Sequence, residues 1–272
     1  MHPVQIVGAL NVTPDSFHDG GQFTSIDTAV ARAGQMIEDG ADIIEIGGES
    51  TGPKSADVPP GEELQRVIPV VRAIRKKFPA AVISVDTYKS AVAQAALDEG
   101  AVMINDVTGG RSDSQMFPAV ARSSAQIVLM YAKDPTPRTT IEDRQYDDVV
   151  ATIKDFLWER KSLAITAGIP EDRIILDPGL GHFVSSDARY SFEIIGRLGE
   201  FLDLGSPIFL SPSRKSFLAG PEKLPPADRL PGTIAASAIA VLHGATYIRT
   251  HDVQEVRRAC ELAEDLVNSL IR

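Results

Sequence analysis

The sequence predicts a single (β/α)8 barrel, the TIM-barrel architecture, over residues 1–272. Short apolar runs typical of buried strands alternate with amphipathic helical patterns along the whole chain. Eight such pairs fit into the 272 residues, and no linker or low-complexity segment divides them. The first strand also lacks the glycine-rich phosphate loop that is typical of an open doubly wound sheet. Eight parallel strand-helix units most simply close on themselves.

Apolar runs that end in polar residues define the strands. The predicted ranges are 4–10, 41–46, 81–85, 101–104, 126–130, 173–176, 207–210 and 246–248.

A helical pattern follows each strand. Thr24 and Asp27 suit a capping box at the start of the first helix, which ends at Gly40. In the second helix, Pro69 predicts a kink or a restart. Asp252 is predicted to cap the last helix. The helices between are predicted over 90–97, 115–121, 146–167, 191–198 and 232–243.

Composition and charge exclude several classes of function. The net charge is −10 without a polybasic run, which argues against a nucleic-acid partner and against binding to an anionic membrane. No apolar run reaches the length of a membrane span, and the N-terminus lacks the pattern of a signal peptide. The single Cys260 lies in an apolar helical stripe. We therefore expect a cytoplasmic protein with a buried, reduced thiol.

Polar side chains follow every predicted strand. In a barrel the carboxyl ends of all strands meet at one face, where active sites of this fold lie. Asp106 and Asp252 precede turns or helices, which strongly favours a structural role for them as turn or cap residues. The first polar residues after the strands are Asn11, Glu49, Asp86, Asn105, Tyr131, Asp177, Lys215 and Arg249.

The chemistry of these residues divides the predicted site in two. Asp86, Asn105 and Asp177 would lie unsatisfied unless a ligand supplied donors, which favours a flat heterocycle rich in N–H groups. Lys215, Arg249 and His251 follow the last two strands, where barrels often bind phosphate. Asn11 could hold Mg²⁺, which takes few protein oxygens and keeps water and phosphate ligands. A neutral heterocycle that bears a diphosphate fits this division.

The same residues lie in motifs that resemble those of the dihydropteroate synthases. The resemblance covers nearly the whole chain, and seven motifs occur in the right order at strand ends. They are GALNVTPDSF (8–17), IGGEST (46–51), SVDT (84–87), IND (104–106), LDPG (176–179), SRKSF (213–217) and RTHDV (249–253).

This resemblance implies a barrel enzyme, usually a homodimer, that uses Mg²⁺. It implies condensation of 6-hydroxymethyl-7,8-dihydropterin diphosphate with 4-aminobenzoate, with release of diphosphate. Asp86, Asp177 and Lys215 would be catalytic, and Asn105 and Met130 would bind the pterin. The resemblance further assigns the diphosphate and its metal to Asn11, Arg249 and His251, and the 4-aminobenzoate pocket to Phe17, Thr51, Pro53 and Ser216.

Three departures from the family pattern concern the second substrate. Gly52 stands where the family usually has Arg, and Lys54 is a candidate replacement for that charge. Tyr131 and Ala132 replace the usual His-Met pair, and GHFV (181–184) replaces Gly-Phe-Gly-Lys. We expect intact pterin and diphosphate anchors and an altered 4-aminobenzoate pocket. A sulfonamide inhibition constant measured beside the KM for 4-aminobenzoate tests this expectation.

Two alternatives stay open from the residues. A pterin-binding methyltransferase of the same fold would share the Asp and Asn anchors, but it needs no diphosphate site, and Lys215, Arg249 and His251 argue against it. A non-catalytic pterin binder derived from the synthase would be compatible with a changed second pocket.

Overall fold

The computed structural model describes residues 3–13 and 22–271, and for residues 22–25, 270 and 271 only the backbone. Parallel strands and helices alternate throughout this part of the chain, which confirms the predicted (β/α)8 barrel. The strands are β1 Gln5–Asn11, β2 Ile43–Gly47, β3 Val82–Asp86, β4 Met103–Asp106, β5 Gln126–Met130, β6 Ile174–Asp177, β7 Phe209–Leu210 and β8 Tyr247–Thr250. The helices are α1 Gln22–Glu38, α2 Pro60–Lys77, α3 Ser90–Asp98, α4 Met116–Ala121, α5 Val149–Thr166, α6 Ala188–Gly196, α7 Leu230–Leu242 and α8 Val253–Ile271.

The strands form one sheet in the order β6-β5-β4-β3-β2-β1-β8-β7, and every pair is parallel. The edge strands β6 and β7 meet through a parallel bridge between Leu176 and Ile208. The backbone N–H of Leu176 donates to the carbonyl of Pro207 at 3.0 Å. The sheet is thereby closed, and its carboxyl ends surround one opening.

Side chains that face the barrel interior change character along the strands. At the amino-terminal end they form a buried apolar cluster, which fills the lower half of the barrel. Outward-facing side chains of the same strands pack beneath the helices in a second, larger core. The barrel is therefore open only at its carboxyl end, where polar side chains replace the apolar layer. The inner cluster contains Val7, Ile43, Met103, Val128, Ile175 and Phe209.

Local capping sets several helix boundaries. Asp148 accepts a hydrogen bond from the N–H of Ala151 at 2.9 Å, so α5 begins three residues after its predicted start. Asp187 accepts from the N–H of Arg189 and starts α6 earlier than predicted. The predicted restart at Pro69 is wrong, because α2 continues through this residue. Among the described residues, every helix is too short or too polar to cross a membrane.

Candidate active site

Strand register places three predicted site residues at one level of the barrel mouth. Asn11 pairs with Gly47, Gly47 pairs with Asp86, and Asp86 pairs with Asn105. Gly47 has no side chain, and a Cβ atom there would lie 3.6 Å from Asp86 Cβ and 3.7 Å from Asn11 Oδ1. The glycine therefore brings no side chain between the amide of Asn11 and the carboxylate of Asp86.

Glu45 is a site residue that the sequence reasoning missed. It lies on β2, one inward position below Gly47, and is fully buried. One carboxylate oxygen accepts hydrogen bonds from Ser84 Oγ at 3.2 Å and Asn105 Nδ2 at 3.1 Å, and the other accepts from Arg249 Nε. The available signal was a charge between two isoleucines in the run 41–46, which also holds Asp42 near its start. Such a charge must face a partner, because an unpaired buried carboxylate is too costly.

Arg249 extends from β8 between two carboxylates. Besides its bond to Glu45, its Nη2 lies 3.4 Å from Asp86 Oδ2. Burial and the nearby charge of Glu45 raise the pKa of Asp86 to about 7, and Arg249 offsets only part of that effect. Asp86 is thus poised to change its protonation state when a charged or donating ligand arrives.

Asp177 and Asn105 provide hydrogen-bond acceptors on the opposite side of the mouth. Asp177 is 2% exposed, and its Oδ1 accepts from the N–H of Gly179 at 2.7 Å. Burial raises the pKa of Asp177 to about 6, although the positive charge of Lys215 offsets part of the increase. The Oδ1 atom of Asn105 is buried and has no hydrogen-bond partner within residues 3–13 and 22–271. A ligand with N–H donors would satisfy this oxygen.

Met130 lies in a small apolar cluster beside these acceptors. The cluster comprises Tyr88, Val107, Met130 and Ala132, with the half-buried Phe183 packed against it. Lys215 Nζ lies 5.0 Å from the centre of the Phe183 ring and 3.4 Å from the carbonyl oxygen of Leu180. Burial lowers the pKa of Lys215 to about 8. The cluster provides an apolar wall for a flat ring, and its Phe183 belongs to a segment that departs from the family motif.

His251 enters the site as a neutral imidazole. Its Nδ1 lies 3.0 Å from Ser213 Oγ, and burial together with the charge of Arg249 lowers its pKa to about 4. The cations of this corner are therefore Lys215 and Arg249, with His251 as a neutral hydrogen-bonding group.

Glu49 does not join the mouth, contrary to the prediction from its place after β2. Its carboxylate accepts hydrogen bonds from Lys89, Arg138, the N–H of Val58 and, at 3.0 and 3.1 Å, the hydroxyl of Tyr88. Lys89 also binds the buried Glu63. This group holds the β2–α2 loop against its neighbours, so its role is structural.

The two alternative turn residues are structural as well. Asp106 accepts hydrogen bonds from the backbone N–H groups of Thr108 and Gly110 at 2.8 and 3.0 Å. Asp252 accepts two hydrogen bonds from the guanidinium of Arg214, at 2.9 and 2.5 Å. Both carboxylates are occupied within the protein.

The predicted 4-aminobenzoate residues come from three loops. Phe17 lies outside the described residues. Thr51 is half-buried, and its carbonyl accepts a hydrogen bond from the N–H of Thr139 at 3.2 Å. Ser216 adjoins Gly181, since a Cβ at Gly181 would lie 3.4 Å from Ser216 Oγ. The altered segment 181–184 therefore borders the predicted pocket.

Tyr131 faces away from the site, so its predicted place at the mouth is wrong. Its hydroxyl lies 3.0 Å from that of Tyr146, and its ring packs edge-on against Phe156 with centroids 5.2 Å apart. Successive strand residues point to opposite faces, and Met130 takes the inward position. The departure at Tyr131 changes the packing outside the barrel.

The sequence is similar to those of known proteins over nearly its whole length. The family model described as "Pterin binding enzyme" matches residues 7–251. The chain is 39% identical to the dihydropteroate synthase of Bacillus subtilis over 97% of this chain and 88% of that protein. It is 46% identical over 95% of its length to a probable bifunctional folylpolyglutamate synthase/dihydropteroate synthase of Haloferax volcanii, but spans only 30% of that protein.

Solved structures show the same similarity. The dihydropteroate synthase of Clostridium difficile, crystallised in the presence of pteroic acid, superposes with a TM-score of 0.90 at 39% identity, covering 97% of both chains. The Xanthomonas albilineans enzyme with 4-aminobenzoic acid gives a TM-score of 0.89 at 37% identity, covering 97% of this chain and 93% of that one.

Proposed function

The chain belongs to the dihydropteroate synthases within the pterin binding enzyme family, and we propose how its barrel mouth carries out their reaction. The reaction joins 6-hydroxymethyl-7,8-dihydropterin diphosphate to 4-aminobenzoate and releases diphosphate, so the protein is a transferase. The observation that carries the residue assignment is that buried hydrogen-bond acceptors and half-buried cations occupy different sides of one mouth. Asp177 and Asn105 lie on one side, and Arg249 lies on the other.

The acceptor side binds the pterin in this proposal. The free Oδ1 of Asn105 and the second oxygen of Asp177 accept hydrogen bonds from ring and amino N–H groups. Met130 and Phe183 contact the ring faces, and Lys215 donates from the rim. As the bond to diphosphate breaks, positive charge develops on the pterin methylene and ring, and the carboxylates of Asp86 and Asp177 stabilise it.

The cationic side binds the diphosphate. Arg249 donates to its oxygens, and neutral His251 donates a further hydrogen bond. The bond electrons leave with the diphosphate, the amine of 4-aminobenzoate attacks the methylene, and the amine then loses a proton. The amine is already a nucleophile, so no strong general base is required.

The donor set at Asn11 fits a magnesium ion that arrives with the diphosphate. Within residues 3–13 and 22–271 no cluster of three or more His, Cys, Asp or Glu side chains could hold a metal alone. Asn11 is exposed and offers one amide oxygen beside Gly47, and magnesium commonly takes few protein ligands. Bound there, the ion would neutralise charge on the diphosphate.

The direct test measures diphosphate release and dihydropteroate formation by wild type and Lys215→Ala. We expect wild type to form product only when 4-aminobenzoate is present, and Lys215→Ala to lose roughly 10²–10³-fold in kcat/KM. Absence of product from folded wild type would refute the enzyme assignment. Full activity of Lys215→Ala would refute the placement of the site.

A homodimer and a cytoplasmic location complete the proposal. Exposed apolar side chains on α7 and α8, two helices that pack on each other, support a face for a second copy. They are Ile239, Leu242, Leu262 and Leu266. Sedimentation of the purified chain should give the mass of two copies, and Leu262→Glu should lower it to one. The buried single thiol of Cys260 supports a reducing compartment.

A further inference from the structure

The carboxylate of Glu45 contacts both halves of the site. It is fully buried at the centre of the barrel, directly below the mouth. Its Oε2 accepts from Asn105 Nδ2 at 3.1 Å, on the pterin side, while its Oε1 accepts from Arg249 Nε, on the diphosphate side. Ser84 Oγ also donates a hydrogen bond to Oε2, at 3.2 Å. One side chain thus links the two groups that would recognise the two parts of the substrate.

The orientation of the Asn105 amide follows from this contact. An ionised carboxylate only accepts hydrogen bonds, so the NH₂ end of the amide must face Glu45. The carbonyl end is then turned away, and in the described part of the chain it is buried without a partner. A buried amide oxygen in this state can accept a hydrogen bond from an N–H group of a ligand. Because Glu45 fixes which end of the Asn105 amide faces the ligand, it also favours a ligand group that donates a hydrogen bond over one that accepts it.

We propose that Glu45 is a positioning residue that orients the Asn105 amide toward pterin N–H groups and anchors the Arg249 guanidinium beside the diphosphate. The proposal rests on the proposed function and assigns part of its substrate selectivity to a residue that does not touch the substrate. A glutamine at this position could offer either an oxygen or an NH₂ group to Asn105. It would therefore no longer fix the amide orientation, and it would remove the charge opposite Arg249.

The experiment measures calorimetric affinity for 6-hydroxymethyl-7,8-dihydropterin, which lacks the diphosphate, and for its diphosphate. We expect Glu45→Gln to weaken binding of the first ligand roughly tenfold and binding of its diphosphate by a larger factor. An unpaired buried polar group commonly weakens binding by about tenfold. Ser84→Ala is the matched control, because it removes a donor to the same carboxylate oxygen but leaves Asn105 and Arg249 bound. We expect its affinities to stay within about threefold of wild type.

A double-mutant cycle with Asn105→Ala separates positioning from a general structural role. If Glu45 acts on the pterin through Asn105, the tenfold effect of Glu45→Gln should shrink below about threefold in the Asn105→Ala background. An equal loss in both backgrounds, or wild-type affinity of folded Glu45→Gln, would overturn the proposal. Should Glu45→Gln fail to fold, Glu45→Asp keeps the charge but withdraws it from Asn105, and the same cycle applies. If folded wild type binds neither pterin, the proposed function fails first, and this inference fails with it.

Discussion

Two clusters of carboxylates and cations lie close together in the chain, one at the ends of β2 and β3 and one in the loops that follow them, and they differ in how fully their polar groups are paired. Outside the barrel, Lys89 binds both Glu49 and Glu63, and Arg138 binds Glu49. Arg138 also donates to the carbonyl oxygens of Ser55 and Ala56, at 3.1 and 2.8 Å. We call Glu49, Glu63, Lys89 and Arg138 the outer cluster, and each of its carboxylates forms an ion pair.

The inner cluster of Glu45, Asp86, Asn105, Asp177 and Arg249 is incompletely satisfied. Arg249 serves both Glu45 and Asp86, and the second contact is long, at 3.4 Å. The pKa values of Asp86 and Asp177 are raised to about 7 and about 6, and Asn105 Oδ1 lacks a hydrogen-bond partner among the residues that the structure describes. This difference supports the proposal that the inner cluster, whose polar groups are only partly paired, binds the substrate.

Removal of the cation from the outer cluster should have the largest effect on stability. Lys89→Met leaves Glu63 buried, at 1% exposed, without its cation. We expect a loss of about 3–5 kcal/mol in the free energy of unfolding, as is usual when one partner of a buried ion pair is removed. Urea denaturation followed by circular dichroism measures it.

The double variant Lys89→Met/Glu63→Met provides the control. It replaces the pair with apolar side chains, and we expect it to regain much of the lost stability. At low temperature, where both variants remain folded, kcat should stay within about threefold of wild type, because Tyr88, which joins this cluster to the apolar wall of the mouth, keeps its hydrogen bonds to Glu49. A hundredfold fall in kcat of a folded variant would contradict the division into two clusters.

A change in the inner cluster should lower activity but raise stability. Asp86→Asn removes a charge from the mouth, and we expect turnover to fall roughly 10²-fold. The pKa of folded Asp86 is raised to about 7, so the stability that its protonated form contributes is present below about pH 4 and is lost as the pH rises through 7. Asp86→Asn avoids this loss and should be more stable than wild type by about 2 kcal/mol at pH 8.

Thermal or urea unfolding at pH 5 and pH 8 measures the effect. The stability difference between variant and wild type should grow between these pH values and level off above 7. For wild-type enzyme, affinity for the pterin should rise over the same interval, since ionised Asp86 and Asp177 accept hydrogen bonds better than their protonated forms. A variant less stable than wild type at pH 8 would show that Asp86 is satisfied in the free protein.

The smallest effect is expected at Tyr131, which the sequence placed at the mouth and the structure places outside it. Tyr131→Phe loses the 3.0 Å contact with the Tyr146 hydroxyl, while Tyr146 keeps its bond to the carbonyl of Val184 at 2.8 Å. We expect about 1 kcal/mol of lost stability and unchanged KM values for both substrates. A severalfold change in the KM for 4-aminobenzoate would mean that Tyr131 acts on the pocket.

Much of the site could be predicted because of one geometric rule. Apolar runs followed by Asn11, Asp86, Asn105 and Asp177 marked the carboxyl ends of parallel strands, and a closed barrel brings those ends together. Glu45 escaped notice because it lies within an apolar run, before the strand end. Glu49 was misplaced for the opposite reason, since it follows a strand but turns outward to Lys89.

The sequence by itself determined the alternation of strands and helices, the closed parallel barrel and the kinds of chemistry at its mouth, because hydrophobic period and polar strand ends are local properties. Only the tertiary structure decided which polar side chains face inward. That choice depends on register and closure, which set Met130 inside and Tyr131 outside and which pair Glu45 with residues 60 and 204 positions away. A side chain's direction and its partners are properties of the assembled barrel, and they separate the satisfied outer cluster from the unsatisfied inner one.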